Sequence, residues 1–310
     1  MNVFLTVDIE TYTGDYDRDV FGYGKGLDFI LETLNYFGIK ATFFVEALGA
    51  TRWGIEPLKK VCSTIKKTEH DIQLHVHPKV AKISGINIKN DKLRTYDKEI
   101  QKELIKIGLA KLVQCGAKNI VAFRAGDLAA DKNTLTAMEE AGLFISSNRD
   151  LDQKSSIHTK INDHFPVKND LSKKGNIVDL PVTCFRSSLP FWDGQYRHFE
   201  ICAMGTKEMI SAVSKMLKTE YSCATILTHP GEFFRLTKKG TVFIKKNCSR
   251  LRKLLKFLKS NKDITNNTIS QCLESCIIPE TSSPEIMLNP LFSIMRVFAQ
   301  VNDRILGRVR

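Results

Sequence analysis

Two pairs of residues in the first quarter of the chain have the types and spacing to hold a metal ion and its water. Asp8 and Glu10 alternate in VFLTVDIE, and His75 and His77 alternate in QLHVHP. Residues two apart on a β-strand project from the same face, so each pair would leave its strand together. A catalytic zinc site commonly takes two histidines and one carboxylate and keeps one position for water. A second carboxylate is then left over to act as general base. The plainer alternative for Asp8 and Glu10 is a loop cap or a structural ion.

Strand ends must position such groups. Apolar strand-like runs alternate with helix-period stretches as far as about residue 275, the pattern of an α/β protein with a largely parallel sheet. Strands are expected over Val3–Glu10, Ala41–Val45, Asp71–Val76, Ile120–Phe123, Phe144–Ser147, Ile177–Pro181 and Ala224–His229. Helices are expected over Gly26–Phe37, Ile55–Lys67, Lys98–Gln114, Lys132–Ala141 and Thr206–Lys218. These units predict a distorted (β/α) barrel of about seven parallel strands, with its site at the carboxyl ends of the strands. The polar candidates follow that rule. Asp8 and Glu10 close the first strand, His75 and His77 the third, Arg124 and Asp127 the fourth, Asp179 the sixth and His229 the last. Residues 150–174 are expected to form an excursion over the barrel mouth. Phe185–Tyr196, with Phe191, Trp192 and Tyr196, is either a sugar-stacking wall or a loop anchored by its aromatics. His70, His158, His164 and His198 have no comparable setting and default to surface or loop.

With 310 residues, 43% of them hydrophobic, the chain can fill a large core. No apolar run is long enough to span a bilayer, and the chain enters a strand pattern at Val3 without a leader-like segment, so a cytoplasmic protein is expected. Eight scattered cysteines, none in a Cys-x-x-Cys pair, suggest reduced and mostly buried thiols. The net charge of +12 favours anionic partners, with basic residues gathered at Lys238 and Lys239, Lys245 and Lys246, and Arg250 to Lys259. No nucleic-acid motif accompanies that charge, and nucleic acid is not an expected partner. After a linker punctuated by Pro279, Pro284 and Pro290, residues 291–309 carry an amphipathic basic pattern. The expected division is therefore a barrel over 1–275 and a linker with a C-terminal helix over 276–310. That helix either docks on protein or lies on an anionic inner-membrane surface.

Taken in order, TVDIE, KATFFV, DIQLHVHP, FRAG, DLPVT and ILTHP resemble the polysaccharide deacetylase family, the NodB-like carbohydrate esterase family four. The resemblance spans roughly residues 1–275. It implies a metal-dependent hydrolase that removes an N-acetyl or related acyl group from an amino sugar, with a divalent metal and zinc as the first expectation. It implies Asp8 as general base, Glu10, His75 and His77 as metal ligands, Arg124 as the residue that orients the base, and His229 as general acid. Asp127, Asp179 and Trp192 would face the substrate. The chain departs from the family in lacking an adjacent Asp-Asp pair, and in having one residue between its histidines, with Lys79 where a more distant histidine would stand. Without export, the expected substrate is an intracellular nucleotide- or lipid-linked glycan precursor in surface polysaccharide biosynthesis. A non-catalytic carbohydrate-binding relative and a deacylase or deformylase of another small amide are the alternatives.

Overall fold

The first strand, β1 (Asn2–Ile9), is buried on both faces, and its alternation separates two cores. Val3, Leu5, Val7 and Ile9 join the large apolar cluster under the surrounding helices, while Phe4 joins a smaller cluster inside the barrel. Thr6 and Asp8 share the parity of Phe4, so polar groups stack above an apolar floor within one sheet.

The computed structural model describes residues 1–151, 159–187, 196–219, 221–272 and 276–305, with side chains up to 298. After β1 and the short α1 (Tyr16–Asp19) come α2 (Leu27–Phe37), β2 (Thr42–Glu46), α3 (Ala50–Trp53), α4 (Ile55–Lys66) and β3 (Asp71–Val76). They are followed by α5 (Lys98–Gln114), β4 (Ala122–Ala125), α6 (Lys132–Glu140), β5 (Ile145–Ser146), β6 (Ser172–Lys174) and β7 (Ile177–Asp179). The hairpin strands β8 (Cys184–Arg186) and β9 (Tyr196–His198) precede α7 (Thr206–Lys218) and β10 (Cys223–Thr228). A second hairpin, β11 (Phe234–Thr237) and β12 (Gly240–Phe243), leads to α8 (Lys245–Ser260), the short β13 (Thr265–Asn266) and α9 (Pro290–Ile305).

The main sheet runs β10-β1-β2-β3-β4-β5-β7-β6, with β13 beside the start of β1. Every pairing from β10 through β7 is parallel, and β6 joins β7 antiparallel. Seven parallel strands therefore form the wall, as the alternation of elements predicts. The remaining side is closed by irregular chain. Leu227 donates its N–H to the Phe199 carbonyl at 2.8 Å and its own carbonyl accepts from Ile201 at 3.2 Å, while the Thr225 N–H reaches the Thr183 hydroxyl at 2.8 Å. These bonds occupy the free edge of β10, which would otherwise present unpaired backbone groups.

Local chemistry sets the helix ends. Asp97 accepts from the Ile100 N–H at the start of α5, and Asp131 forms a capping box with Thr134 at the start of α6. The helix α8 is not among those expected from periodicity, because its lysines mask a stripe of Leu251, Leu254, Leu255 and Leu258, all buried. Asp179, expected to face the substrate, does not line the cleft. Asp179 is fully buried and accepts from Arg149 Nε at 2.7 Å, and Arg149 also donates to the Val167 carbonyl at 2.7 Å. The carboxylate is sealed in the wall, where it ties β7 to the residue that precedes the excursion. Trp192 and most of the aromatic loop lie outside the described residues. His70, expected on the surface or in a loop, lies in the loop before β3 with its ring buried 5.5 Å from that of Phe43.

A buried charge left without its partner is costly, so Arg149→Met is expected to lower unfolding stability by about 3–5 kcal/mol. The double change Arg149→Met with Asp179→Leu is expected to recover most of that loss in urea unfolding. Equal stability of the single and double variants would contradict this account of the pair.

Candidate active site

The inward parity of four strands brings the candidate residues to one cleft of about 250 Å³ at the carboxyl end of the barrel. Parallel register sets them level, with Glu46 opposite His75 and His75 opposite Arg124. Asp8, Glu10, His75, His77, Asp127 and His229 all line this cleft.

Glu10 is the centre of the first group. Its Oε2 lies 2.6 Å from His77 Nε2 and 3.5 Å from His75 Nε2. Both imidazoles are oriented from behind. His75 Nδ1 is 2.8 Å from the Arg124 carbonyl and His77 Nδ1 is 2.8 Å from Asp91 Oδ2. With Nδ1 engaged by these acceptors, each Nε2 is aimed at Glu10, where a proton on His77 Nε2 bridges to the carboxylate and a divalent cation would take that proton's place. Burial works against charge on Glu10, yet the His75 and His77 imidazoles outweigh it and hold its pKa well below the usual carboxylate range. Burial likewise opposes charge on His77, but Asp91 and Glu10 on either side hold its pKa well above the ordinary imidazole range. One carboxylate and two imidazoles converging within 4.8 Å are a donor set suited to a divalent ion, and the acceptors behind the rings complete it. The fit to a metal is therefore good.

Asp8 belongs to a second group. Its Oδ1 accepts from Arg124 Nη1 at 2.6 Å. The fully buried guanidinium also reaches Thr6 Oγ1 at 3.1 Å, the Ser147 carbonyl at 3.2 Å and Ser147 Oγ at 2.8 Å, and lies 4.1 Å from the centre of the Phe44 ring.

His229 follows β10 and offers Nδ1 to Glu232 Oε1 at 2.8 Å, while the other Glu232 oxygen accepts from Thr228 Oγ1 at 2.6 Å. Burial would lower the His229 pKa, but Glu232, Asp8 and Glu10 push it up to about 10. Burial and the neighbouring Glu232 carboxylate push Glu200 up to about 7.

Several of these residues are not evident from the chain alone. Asp91 sits in a polar loop, where nothing local marks it. His198, assigned by default to surface or loop, instead lines the cleft and pairs with the buried Asp150 at 2.9 Å. Gly126 of FRAG has a steric reason, since a Cβ there would come within 2.3 Å of the His77 ring. Asp127 beside it takes φ +54° and projects into the opening.

No family model matches the chain, and no curated protein matches it. Among solved structures, it is similar to a protein of Mycobacterium smegmatis assigned as a polysaccharide deacetylase, 17% identical over 88% of each chain with a TM-score of 0.56. A 4-alpha-glucanotransferase from Thermococcus litoralis matches 93% of this chain and 42% of its own, at 14% identity and a TM-score of 0.58. An allantoinase matches 86% of this chain and 87% of its own, at 14% identity and a TM-score of 0.53. At these identities the likeness concerns fold, and three activities on one architecture leave the chemistry to the site. The chain has the distorted, mostly parallel (β/α) barrel that these proteins share.

Proposed function

We propose that the chain is a metal-dependent hydrolase that removes an N-acetyl or related small acyl group from an amino sugar. The observation that carries this reading is the convergence of Glu10, His75 and His77 on one point of a cleft that also holds Asp8 and His229. Glu10, His75 and His77 would hold the ion, with zinc favoured by the nitrogen-rich donor set. A divalent ion there supplies Lewis acidity and a water of lowered pKa.

The remaining steps belong to the chain. Arg124 takes one Asp8 oxygen and leaves the carboxylate's second oxygen to accept a proton as water attacks the acyl carbon. His229 carries the proton that the departing sugar nitrogen needs, and Glu232 fixes its ring with Nε2 available to the cleft. The two proton carriers start in opposite states, one a carboxylate paired with a cation and the other an imidazole charged by its neighbours, which is the division of labour that amide hydrolysis requires. Asp127 and the Asp150–His198 pair are positioned to meet sugar hydroxyls at the rim. The basic surface supports a phosphate-bearing, nucleotide- or lipid-linked glycan precursor as substrate, handled in the cytoplasm during surface polysaccharide assembly.

Acyl release from a panel of N-acetylated and N-formylated nucleotide sugars and lipid-linked sugars, with zinc and with chelator, tests the reading. Asp8→Asn is expected to lower kcat by roughly 10²–10⁴-fold, and unchanged turnover in that variant would remove the general-base role. Asp91→Ala is expected to weaken zinc binding by roughly 10–100-fold in calorimetry. An Asp91 variant that binds zinc as tightly as the parent protein would show that the His77 ring needs no acceptor behind it.

Because the His229 pKa is raised from 6.5 to about 10, its stabilising pair with Glu232 is complete below the lower value and is lost as pH rises through the upper one. Activity that needs the protonated ring should decline along the same alkaline limb. Glu232→Gln removes a neighbouring negative charge and is expected to move that limb down by about 1–3 pH units in a kcat profile. A limb that stays in place would assign it to another group.

A further inference from the structure

A helix that docks on a protein normally buries its apolar stripe, and α9 does the opposite. Ser293, fully buried, donates to Glu208 Oε1 at 2.6 Å, and Arg296, 3% exposed, pairs with Glu208 Oε2 at 3.0 Å. Glu208 lies in the first turn of α7 and is itself buried, so the polar stripe of α9 is held inward. The apolar stripe consequently faces out, with Leu291 61%, Ile294 42%, Met295 49% and Phe298 71% exposed. A contiguous set of large apolar side chains held in water marks a contact surface.

The ground beside it is basic. From Phe233 to Lys262 the chain carries eleven lysines and arginines and no acidic residue. Lys246 and Lys253 of α8 line a groove of about 300 Å³ with Phe292 and Met295 of α9. On the other flank of α8, Lys245, Arg252 and Lys253 line a depression with Phe29 and Phe243. Leu236 and Phe243 of the β11–β12 hairpin are also exposed, and Lys238 and Lys239 form its tip. Apolar side chains rimmed by lysine and arginine are the composition of a segment that inserts among acyl chains while its cations meet anionic headgroups.

The placement of this face is informative. Both α7 and α8 begin at the end of the barrel where the strands finish, and the hairpin follows β10 directly, so the face reaches from the barrel side to the end that holds the cleft. We propose that α9, the exposed side of α8 and the β11–β12 hairpin form one surface that docks on an anionic lipid bilayer and turns the cleft mouth toward it. A second copy of the chain is disfavoured as occupant, because pairing this face with itself would press two lysine-rich strips together. The inference does not depend on the hydrolase reading, since binding is measured without turnover.

The test is co-sedimentation of the full chain with vesicles of phosphatidylcholine alone and of phosphatidylcholine mixed with phosphatidylglycerol. Binding to the mixed vesicles is expected to be about tenfold or more stronger than to the neutral ones and to weaken as salt rises. Leu291→Ser with Phe298→Ser should lower it by about tenfold or more, and so should the independent pair Lys238→Glu with Lys253→Glu, both with unchanged thermal midpoints. Absence of binding to the mixed vesicles, or parental binding by both variants, would overturn the proposal. So would a dimer in light scattering that the Leu291→Ser, Phe298→Ser variant dissociates, since a second copy would then cover the face.

Discussion

A guanidinium in the middle of a barrel must be neutralised and given acceptors, because an uncompensated charge there costs several kcal/mol or more. Arg124 meets that requirement through Asp8 and Thr6 on β1, Ser147 just past β5, and the face of Phe44 on β2. Four strands are thereby tied across the barrel, above the apolar floor formed by Phe4, Phe44, Ala122 and Ile145. Apolar residues of similar volume could make the barrel as stable, since buried ion pairs contribute little net energy. What the pair provides is placement. Asp8 sits where a strand end alone would leave it free to rotate, and the Arg124 carbonyl is in turn the acceptor that orients His75.

The same device recurs at each imidazole around the cleft. His75, His77 and His229 each engage Nδ1 with an oxygen of the scaffold, namely the Arg124 carbonyl, Asp91 and Glu232. Fixing one ring nitrogen specifies what the other does. At His75 and His77 the other nitrogen is aimed at Glu10, whereas at His229 it is left open to the cleft. The difference arises from neighbours rather than from residue type. Close packing reinforces it, because the bare Cα of Gly126 lets the FRAG turn pass directly against the His77 ring.

How much of this was legible in the chain follows from the distance over which each feature is determined. Strand parity is local, so the alternation in VDIE and HVH predicted correctly that each pair shares a face, and the terminal position of His229 placed it at the same end. The parallel wall was legible for the same reason, since strand and helix periods alternate visibly. Asp91, Asp150 and Glu200 act through partners separated in sequence from themselves, and no local pattern marks such residues. Asp179 shows the converse error: a strand-end carboxylate looks like a site residue until Arg149, thirty positions earlier, is seen to enclose it. In α8 a leucine stripe was present, but charge dominated the composition and concealed it.

The orientation of α9 shows most clearly what periodicity omits. An amphipathic pattern states that a helix has two faces, not which of them meets the protein. Here the decision rests with Glu208, whose burial demands donors and receives them from Ser293, Arg296 and the Gly205 N–H. Satisfying one buried carboxylate fixes the rotation of the whole helix, and the apolar side chains must then point outward. The rule that lets Arg124 tie the strands around the cleft thus also sets the outer surface. In both places a buried charge contributes less to stability than to geometry, at the cleft by orienting the groups that line it and on α9 by turning an apolar stripe outward.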